Sequence, residues 1–483
     1  MLEEKLVEIV KRIQSYQCES QNIEIKAASG GCPRLYDSLS SFSNQDEGGI
    51  IILGLKEKDN FATVGVYDVQ DLQHKVTAQC KQMEPEVRPL FTVAQIDGKS
   101  VLAIEVPGCD VAQRPVYYKG LGIQKGSYVR VGEADEPMNE YEVYSYEAFK
   151  RRIRDDVRVV EGARLEHLQP ELLEKYLDAV KMERENLSHN TSNSQILDLM
   201  GVTAGGKPTI SGVLVFGKYP QAYFPQLCIT AVVVPGTEVG DIGSEGERFI
   251  ANKRLTGTIS EMLNAAVDFV QRNMRVKTII NEQGQRSDKA EFPIKAVREV
   301  ILNALVHRDY SIHTEGSPIT IYMFSNRMEV SNIGGLYGRI SIDSLGKVHP
   351  ETRNPTLANI LELLKETENR FSGIPTIRRE MKLALLPEPL FSVSNGEFKV
   401  TLDNGYSIQE KEEKSEPTGL DVRAARVLKF CSEPRSREEL IAFTGFSSFY
   451  TMSKIVQPLV KLGYLKMSLP DKPKSPNQRY CAL

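Results

Sequence analysis

Several features that would assign this 483-residue chain to a special class of protein are missing from its sequence. It has no tryptophan, and no stretch approaches the roughly 20 apolar residues that a membrane-spanning helix needs. Its seven cysteines are scattered, without a CxxC pair or a histidine at metal-ligand spacing, which argues against a structural zinc site and favours reduced thiols. We therefore expect a cytoplasmic protein without a membrane segment.

An excess of positive charge is missing as well. The chain carries 60 Lys and Arg against 64 Asp and Glu, a formal net charge of -4. Contact with nucleic acid must therefore come from a local patch rather than from the whole molecule. The P-loop motif G-x-x-x-x-G-K-S/T is also absent, so no motor motif supports a helicase.

The length predicts about three folding units, and the pattern of apolar runs predicts an α/β multidomain protein. Runs such as IEIK (23–26), IIILGL (50–55), ISGVLVFGK (210–218) and CITAVVVPG (228–236) predict strands between helical stretches. Changes in composition predict a first α/β domain at 1–150, a middle α/β connecting segment at 151–290, a third domain at 291–405, an exposed linker at 406–420 and a C-terminal module at 421–483.

The N-terminal run MLEEKLVEIVKRI predicts an amphipathic helix rather than a signal peptide. Leu2, Leu6, Ile9 and Ile13 lie on one side of this helix. Such an apolar face is a candidate for self-association, and we predict a homo-oligomer.

A predicted helix that begins at Pro293 carries a narrow polar stripe. Glu299, Asn303 and His307 are four residues apart and therefore lie on one side of the helix, which is otherwise apolar almost all round. A polar stripe is either a solvated face or a line of side chains facing an enclosed polar pocket. The apolar residues that flank this stripe favour the pocket.

The stripe resembles that of the GHKL family, in which a helix with E-x-x-x-N supplies a carboxylate near the γ-phosphate water and an amide that holds Mg²⁺. Glu299 and Asn303 match these two positions. NALVHRDYS, RMEVSNIGGLYG, ETRNPTLANIL and ENRFSGIPTIRREM resemble the RecG-related ATP-binding domain of bacterial proteins, a divergent GHKL branch, over most of residues 210–405. The tail KSPNQRY also fits. The resemblance implies a Bergerat-type α/β sandwich that binds ATP and Mg²⁺. We expect His307, the third residue of the stripe, to contact the cofactor as well.

Two glycine turns depart from the family pattern. The D-x-G-x-G turn, which reads adenine through its Asp, is here Asn332, Ile333, Gly334 and Gly335, and an Asn oxygen accepts from the adenine amine without charge assistance. On the phosphate side, Phe371 stands where the family usually has a second glycine, which leaves Gly373 alone. ATP binding is therefore the firmer expectation, and hydrolysis through Glu299 is left open.

Two arginines next to these motifs have two interpretations each. Arg308 and Arg353 are candidate phosphate partners, because a guanidinium holds two oxygens at once. Surface ion pairing explains each of them equally well.

The N-terminal region contains a second acidic motif. If IEIK is a strand, Glu24 and Lys26 share one face, where they either pair or hold a divalent cation and a phosphate. The motif E-x-x-x-x-E-x-K, then SSFSNQDEGGIIILGL, then VPG and YVRVG, is similar to the Schlafen AlbA-like domain over residues 15–145. That family binds nucleic acid, and in its nuclease members three carboxylates bind the metal. The matching positions are Glu19, Glu24 and Glu57, with Mg²⁺ or Mn²⁺ as the implied ion.

The same region mixes aromatic and cationic side chains. A nucleic-acid surface and ordinary sheet packing explain them equally well, and the turn at Gly48 and Gly49 is equally open to a backbone role or a phosphate-binding role. The residues of the mixed set are Tyr117, Tyr118, Lys119, Lys125, Tyr128 and Arg130.

The C-terminal module reads as helix, helix, helix and hairpin, which predicts a winged helix. Its recognition helix would expose Ser447, Ser448, Tyr450 and Lys454 to DNA, although such modules also bind proteins. Two functions follow from the whole pattern. The first is an ATP-switched, nucleic-acid-binding regulator or defence factor, and the alternative is an ATP-gated, metal-dependent nuclease. The residues alone leave both enzymatic activities, ATPase and endonuclease, open.

Overall fold

The computed structural model describes residues 1–482 apart from 19–20, 190, 244, 281–285, 349–350, 367–372, 395, 406–426, 429, 445–450, 470–474 and 476–477. The chain divides into two units, Met1–Asn404 and Gly405–Leu483. All seven cysteines are free thiols. Within the described ranges, no helix is both long and apolar enough to cross a membrane.

The first part of unit 1 alternates strands and helices. The strands are Ile23–Lys26 (β1), Gly49–Leu53 (β2), Leu55–Lys56 (β3), Ala62–Thr63 (β4), Met83–Glu84 (β5), Leu90–Ile96 (β6), Lys99–Val106 (β7), Tyr117–Tyr118 (β8), Tyr128–Val131 (β9) and Ala134–Pro137 (β10). The helices are Glu3–Tyr16 (α1), Tyr36–Ser43 (α2), Val69–Cys80 (α3) and Ile123–Gly126 (α4).

Four of these strands form one sheet in the order β1-β2-β7-β6, in which β1 and β2 are parallel and the other pairs antiparallel. Ile23 and Ile25 of β1 are buried in the core on one face, as the alternation of IEIK predicts. Glu24 and Lys26 contact each other on the other face. The alternation of apolar residues therefore decided which side of β1 carries the charged pair.

Helix α1 covers one face of this sheet and α2 and α3 cover the other. The apolar side of α1, with Leu6, Ile9, Val10 and Ile13, is buried against β6 and the strand residues of the same core cluster. The face from which we predicted self-association is therefore used within the chain. An oligomer stays a prediction, without support from this helix.

The next part of unit 1 is mainly helical, with Glu140–Arg151 (α5), Pro170–Glu183 (α6), Glu185–Ser188 (α7), Asn193–Leu199 (α8) and Ile210–Phe216 (α9), and with a small hairpin of Thr203–Ala204 (β11) and Lys207–Pro208 (β12). The prediction of a strand at 210–218 is wrong, because α9 occupies this run. All of its residues are buried, so the run has no polar face whose period would distinguish a helix from a strand. Thr209 caps the helix by accepting a hydrogen bond from the Gly212 amide.

The remainder of unit 1 contains a second, larger sheet. Its elements in chain order are Ile229–Val233 (β13), Ala251–Leu255 (β14), Ile259–Asn273 (α10), Val276–Ile280 (β15), Arg286–Ala290 (β16), Ile294–His307 (α11), Ile319–Met323 (β17), Arg327–Ile333 (β18), Pro355–Leu363 (α12), Gly373–Leu383 (α13), Leu390–Ser394 (β19) and Glu397–Asp403 (β20).

Six strands pair in the order β14-β13-β17-β18-β20-β19, and β15 pairs with β16 in a separate hairpin. Only β13 and β17 are parallel among the pairs of the large sheet. Buried residues of α10, α11, α12 and α13 share one core cluster with the strands. Because β13 and β14 lie in the predicted middle segment, the sheet crosses the boundary predicted at residue 290.

Unit 2 is described only in part. Arg437–Thr444 (α14) and Gln457–Lys461 (α15) are accompanied by a sheet of Arg435–Ser436 (β21), Leu465–Met467 (β22) and Arg479–Ala482 (β23), in the order β21-β23-β22. The predicted linker lies outside the described residues. The same holds for three of the predicted recognition-helix residues, Ser447, Ser448 and Tyr450, and the side chain of the fourth, Lys454, is not described. The described strands β22 and β23 pair as a hairpin after α15, and the winged helix stays a prediction.

Candidate functional site

A cavity of about 220 Å³ lies between α11, β18, the segment after β18 and the first turn of α13. The structure brings together in its wall eight of the nine residues that the sequence assigned to the nucleotide. These are Glu299, Asn303, His307, Asn332, Gly334, Gly335, Arg353 and Gly373. The polar stripe of α11 therefore lines a partly open pocket, as its apolar flanks predicted, and the two glycine turns meet it there.

One end of the cavity is formed by Glu299, Asn303 and the beginning of α13. Asn303 Nδ2 lies 3.4 Å from Glu299 Oε1 as a hydrogen-bond donor. A Cβ on Gly373 would lie 2.5 Å from Glu299 Oε1 and 3.0 Å from Asn303 Nδ2, so glycine lets both side chains keep these positions. Carboxylate and amide oxygens suit Mg²⁺, and the N-terminus of an 11-residue helix attracts anions. This end fits a phosphate group with its cation.

The other end is formed by the turn Asn332–Gly335. Asn332 is buried, and its Nδ2 donates to the Ile333 carbonyl at 3.3 Å, which leaves the amide oxygen as the acceptor of this side chain. Gly334 has φ +107°, and a Cβ there would lie 2.8 Å from the Asp309 amide. The turn is thus closely packed by Asp309 on one side, and Asn332 lines the cavity on the other.

His307 and Arg353 lie near this second end. His307 is exposed within the cavity, and desolvation by the surrounding wall, with the charge of Arg353, lowers its pKa to about 4. His307 is therefore neutral at pH 7 and offers hydrogen bonds without charge. Arg353 is nearly buried and forms an ion pair with Asp309. Arg353 is thus ion-paired, as one of its two interpretations stated, but the pair lies in the interior and not at the surface.

Arg308 lies outside the cavity wall, contrary to its assignment as a nucleotide contact. Arg308 is the residue that directly follows α11 and has a non-helical backbone conformation, so the helical period of the stripe does not set its direction. Its guanidinium is buried and donates to the carbonyls of Thr314 and Ser317 at 3.1 and 2.9 Å. Arg308 therefore holds the loop after α11.

Sequence reasoning missed three polar residues of this site. Asp309 pairs with Arg353, the ring of Tyr337 lies 5.2 Å from the Arg353 guanidinium, and Glu351 lines the cavity. All three lie in motifs that carry the family resemblance, Asp309 in NALVHRDYS, Tyr337 in RMEVSNIGGLYG and Glu351 in ETRNPTLANIL, but their roles were not assigned. The contacts of Tyr337 and Glu351 depend on the path of the segment after β18.

The acidic motif near the N-terminus forms a closed ion cluster. Glu24 is buried, with one oxygen on Lys26 and the other 2.9 Å from Arg130 Nη1. The same nitrogen lies 2.9 Å from Asp135, and the Arg130 side chain is inaccessible to solvent. Both Glu24 oxygens are thus engaged by cations, and Arg130 is not part of a nucleic-acid surface.

The predicted metal triad is not assembled by the residues that are described. Glu57 is exposed in the short 3-10 helix Glu57–Asp59, and Glu19 lies outside the described residues. In the described part of the chain, no group of three or more His, Cys, Asp or Glu side chains is placed to hold a metal ion. Metal binding here stays a prediction, and ion pairing is what the structure shows for Glu24 and Lys26.

The aromatic and cationic residues between Tyr117 and Arg130 do not share one role in the structure. Tyr118 stacks on Tyr36 with ring centroids 3.9 Å apart, and the Arg34 guanidinium lies 5.4 Å from the Tyr36 ring. Lys119 lies 3.2 Å from Glu84 at the surface. Gly48 has φ +69° and is packed against the Val106 carbonyl, which supports its backbone role.

Three families match separate parts of the chain. Residues 19–139 match "Schlafen, AlbA_2", residues 146–230 match a domain of unknown function (DUF8451), and residues 316–402 match "Putative ATP-dependent DNA helicase recG C-terminal" (HATPase_c_4). The resemblances to a Schlafen AlbA-like domain and to a RecG-related ATPase domain are thereby confirmed. The ATPase match begins after α11, and the fold places Glu299 and Asn303 beside it.

The chain is similar to several solved structures, of which two serve as examples. The DIP2311 protein from Corynebacterium diphtheriae is 18% identical, with 93% of this chain and 92% of that chain covered and a TM-score of 0.40. The N-terminal domain of a RecG-related protein from Nitrosomonas europaea is 29% identical, with 27% of this chain and 90% of that chain covered and a TM-score of 0.23. No curated protein shows a significant match.

Proposed function

Because a Schlafen AlbA_2 domain and a RecG-type ATPase domain occur in one chain, we propose a nucleic-acid-binding regulator or defence factor whose state is set by bound ATP. The two domains together indicate an ATP-dependent function related to nucleic acid. The observation that carries the proposal is the single cavity in which the α11 stripe, the Asn332 turn and Gly373 meet.

The length of the α11 stripe suits a nucleotide. Glu299 and His307 are eight residues apart, which corresponds to about 12 Å along a helix. In the proposed arrangement the base lies at the Asn332 turn, where the amide oxygen accepts from an adenine amine. The phosphates then lie at Asn303 and the first turn of α13, where the helix end favours negative charge.

The charges of the cavity make a divalent cation necessary for a triphosphate. Among the lining residues that the structure describes, Arg353 is the one cationic side chain, and Asp309 already neutralises it. Glu299 and Glu351 add negative charge to the same wall. Mg²⁺ held by Asn303 would supply the missing positive charge, and Glu299 is then placed to orient or deprotonate a water molecule.

Calorimetry with ATP and Mg²⁺ tests the nucleotide site directly. Asn303→Ala and Asn332→Ala should each weaken binding by about tenfold, the effect of losing one polar contact of about 1.4 kcal/mol. Lys295→Ala, which removes an exposed side chain of the same helix, is the matched control. Equal affinity in all four proteins would remove the stripe and the turn from their assigned roles.

A nuclease gated by ATP is the alternative function. It requires Glu19, Glu24 and Glu57 to bind a metal together, and the ion pairs of Glu24 with Lys26 and Arg130 oppose this. Labelled DNA and RNA incubated with Mn²⁺ or Mg²⁺, with and without ATP, should therefore stay intact. A product that disappears in Glu57→Ala, an exposed and structurally mild change, would favour the nuclease.

A further inference from the structure

Tyr141, at the start of α5, lies behind the turn Asn332–Gly335. Its hydroxyl donates to Asp309 Oδ2 at 2.9 Å. Its ring packs against Gly396, where an added Cβ would lie 3.0 Å from a ring carbon. The Gly396 carbonyl in turn accepts the Gly334 amide at 2.8 Å. Tyr141 therefore reaches the turn by two separate routes.

The hydroxyl route continues through Asp309 into the cavity wall. Asp309 pairs with Arg353, and its backbone amide donates to the Ile333 carbonyl at 2.9 Å. Arg353 Nη2 then donates to the Gly335 carbonyl at 3.3 Å. Asp309 and Arg353 are both nearly buried, so their positions depend on these few polar partners.

We propose that Tyr141 is a positioning residue of the nucleotide cavity, which holds the Asn332–Gly335 turn in place through Asp309 and Arg353. The proposal rests on the proposed nucleotide function and extends it to regulation of the same site. Helix α5 directly follows the part of the chain that matches the Schlafen family. A shift of α5 would therefore change nucleotide affinity at its base-binding end.

A second contact of α5 supports the same connection. Phe149, two turns further along the helix, packs edge-on against Tyr337, with ring centroids 5.2 Å apart. Tyr337 lines the cavity and lies beside the Arg353 guanidinium. Helix α5 thus contacts the cavity wall directly through Phe149, and through Asp309 and Gly396 at its Tyr141 end.

The Tyr141 hydroxyl keeps its proton and can therefore act as a hydrogen-bond donor throughout the neutral pH range. Desolvation, with the nearby Asp309 carboxylate, raises the pKa of Tyr141 to about 12, so the phenol stays protonated at neutral pH. Without this donor, the buried carboxylate retains Arg353 and the Ser311 amide, which donates to its other oxygen at 2.7 Å, but loses one of the bonds that fix its orientation. The guanidinium is then free to move away from the Gly335 carbonyl.

The test compares Tyr141→Phe with Tyr144→Phe in the full chain. Tyr144 lies on the same helix, but its hydroxyl donates to Asp155 at 2.7 Å instead of to Asp309. Binding of adenosine, ADP and ATP with Mg²⁺ is measured by calorimetry. We expect Tyr141→Phe to weaken all three by a similar factor, about tenfold, because the disturbed turn contacts the base that they share. Tyr144→Phe should bind all three as the wild type does.

The thermal unfolding midpoint separates positioning from stability. A merely structural role lowers the midpoint of Tyr141→Phe but leaves the three affinities unchanged, and that result would overturn the proposal. Arg353→Lys provides an independent variant, because a lysine does not bridge Asp309 and the Gly335 carbonyl at once. Arg353→Lys should also weaken the binding of adenosine, ADP and ATP by a similar factor. If the wild type binds no nucleotide, the proposed function fails; if it binds and Tyr141→Phe binds equally well, only this inference fails.

Discussion

Replacing Gly373 with alanine should separate the geometry of the cavity from the stability of the fold. The new Cβ would lie 2.5 Å from Glu299 Oε1, closer than any ordinary contact. Because that oxygen ends a flexible side chain, we expect the carboxylate to move rather than α13. Alanine is also the better helix former, by up to about 1 kcal/mol. The unfolding midpoint should therefore be equal to that of the wild type or slightly higher.

The substitution should reduce ATP binding and hydrolysis far more than it changes the stability of the protein. Moving the contact from 2.5 Å to the 3.4 Å of ordinary van der Waals packing displaces the Glu299 carboxylate by about 0.9 Å. A misplacement of roughly 1 Å in a reacting group lowers a rate on the order of 100-fold. We expect any ATP hydrolysis to fall by this factor. Binding of ATP with Mg²⁺ should weaken by about tenfold, because Asn303 is also crowded.

Calorimetry and phosphate release measure the two effects. Gly316→Ala is the matched control, because a Cβ at Gly316 meets nothing within 4 Å. The control should bind and turn over as the wild type does. Unchanged affinity in Gly373→Ala would refute the placement of α13 against Glu299 and Asn303.

Three further predictions concern charge. The pKa of His307 is lowered in the folded protein, so the unfolded chain takes up the proton first and stability is lost as pH falls from about 6.5 towards 4. His307→Gln should flatten this part of a plot of unfolding midpoint against pH, and an unchanged slope would contradict the assignment. Arg130→Met should lower the free energy of unfolding by about 3–5 kcal/mol in denaturant titrations, because Glu24 and Asp135 lose their buried partner. Lys119→Met, at an exposed pair, should cost less than about 1 kcal/mol, and similar losses would argue against a buried cluster. Removing Mg²⁺ with EDTA should weaken binding of ATP much more than that of adenosine, and parallel losses would exclude a cation at the phosphates.

Sequence reasoning succeeded where the signal was local. The stripe of Glu299, Asn303 and His307 follows from helical periodicity within 14 residues, and the structure places all three in one cavity. The alternation of IEIK likewise separated Ile23 from Glu24 across the first sheet. In both places neighbouring residues carry the pattern, so no knowledge of distant contacts was needed.

Sequence reasoning failed where complete burial or a distant partner left no local pattern in the sequence. The run Ile210–Phe216 is buried on every side, so its apolar residues show no period, and a helix was predicted as a strand. The apolar face of α1 was interpreted as a surface for self-association because its partner, the sheet that includes β6, begins far along the chain. Arg308 was assigned to the nucleotide by its chemistry, whereas its direction is decided by the end of α11.

The sequence by itself determined the two family resemblances and the polar stripe, because motifs and helical periodicity are properties of adjacent residues. Only the tertiary structure decided which polar groups are already used within the protein. Glu24 is held by Arg130, Arg353 by Asp309, and Asp309 by Tyr141, across separations of 106, 44 and 168 residues. A buried charge must have a partner, and the fold alone brings that partner within reach.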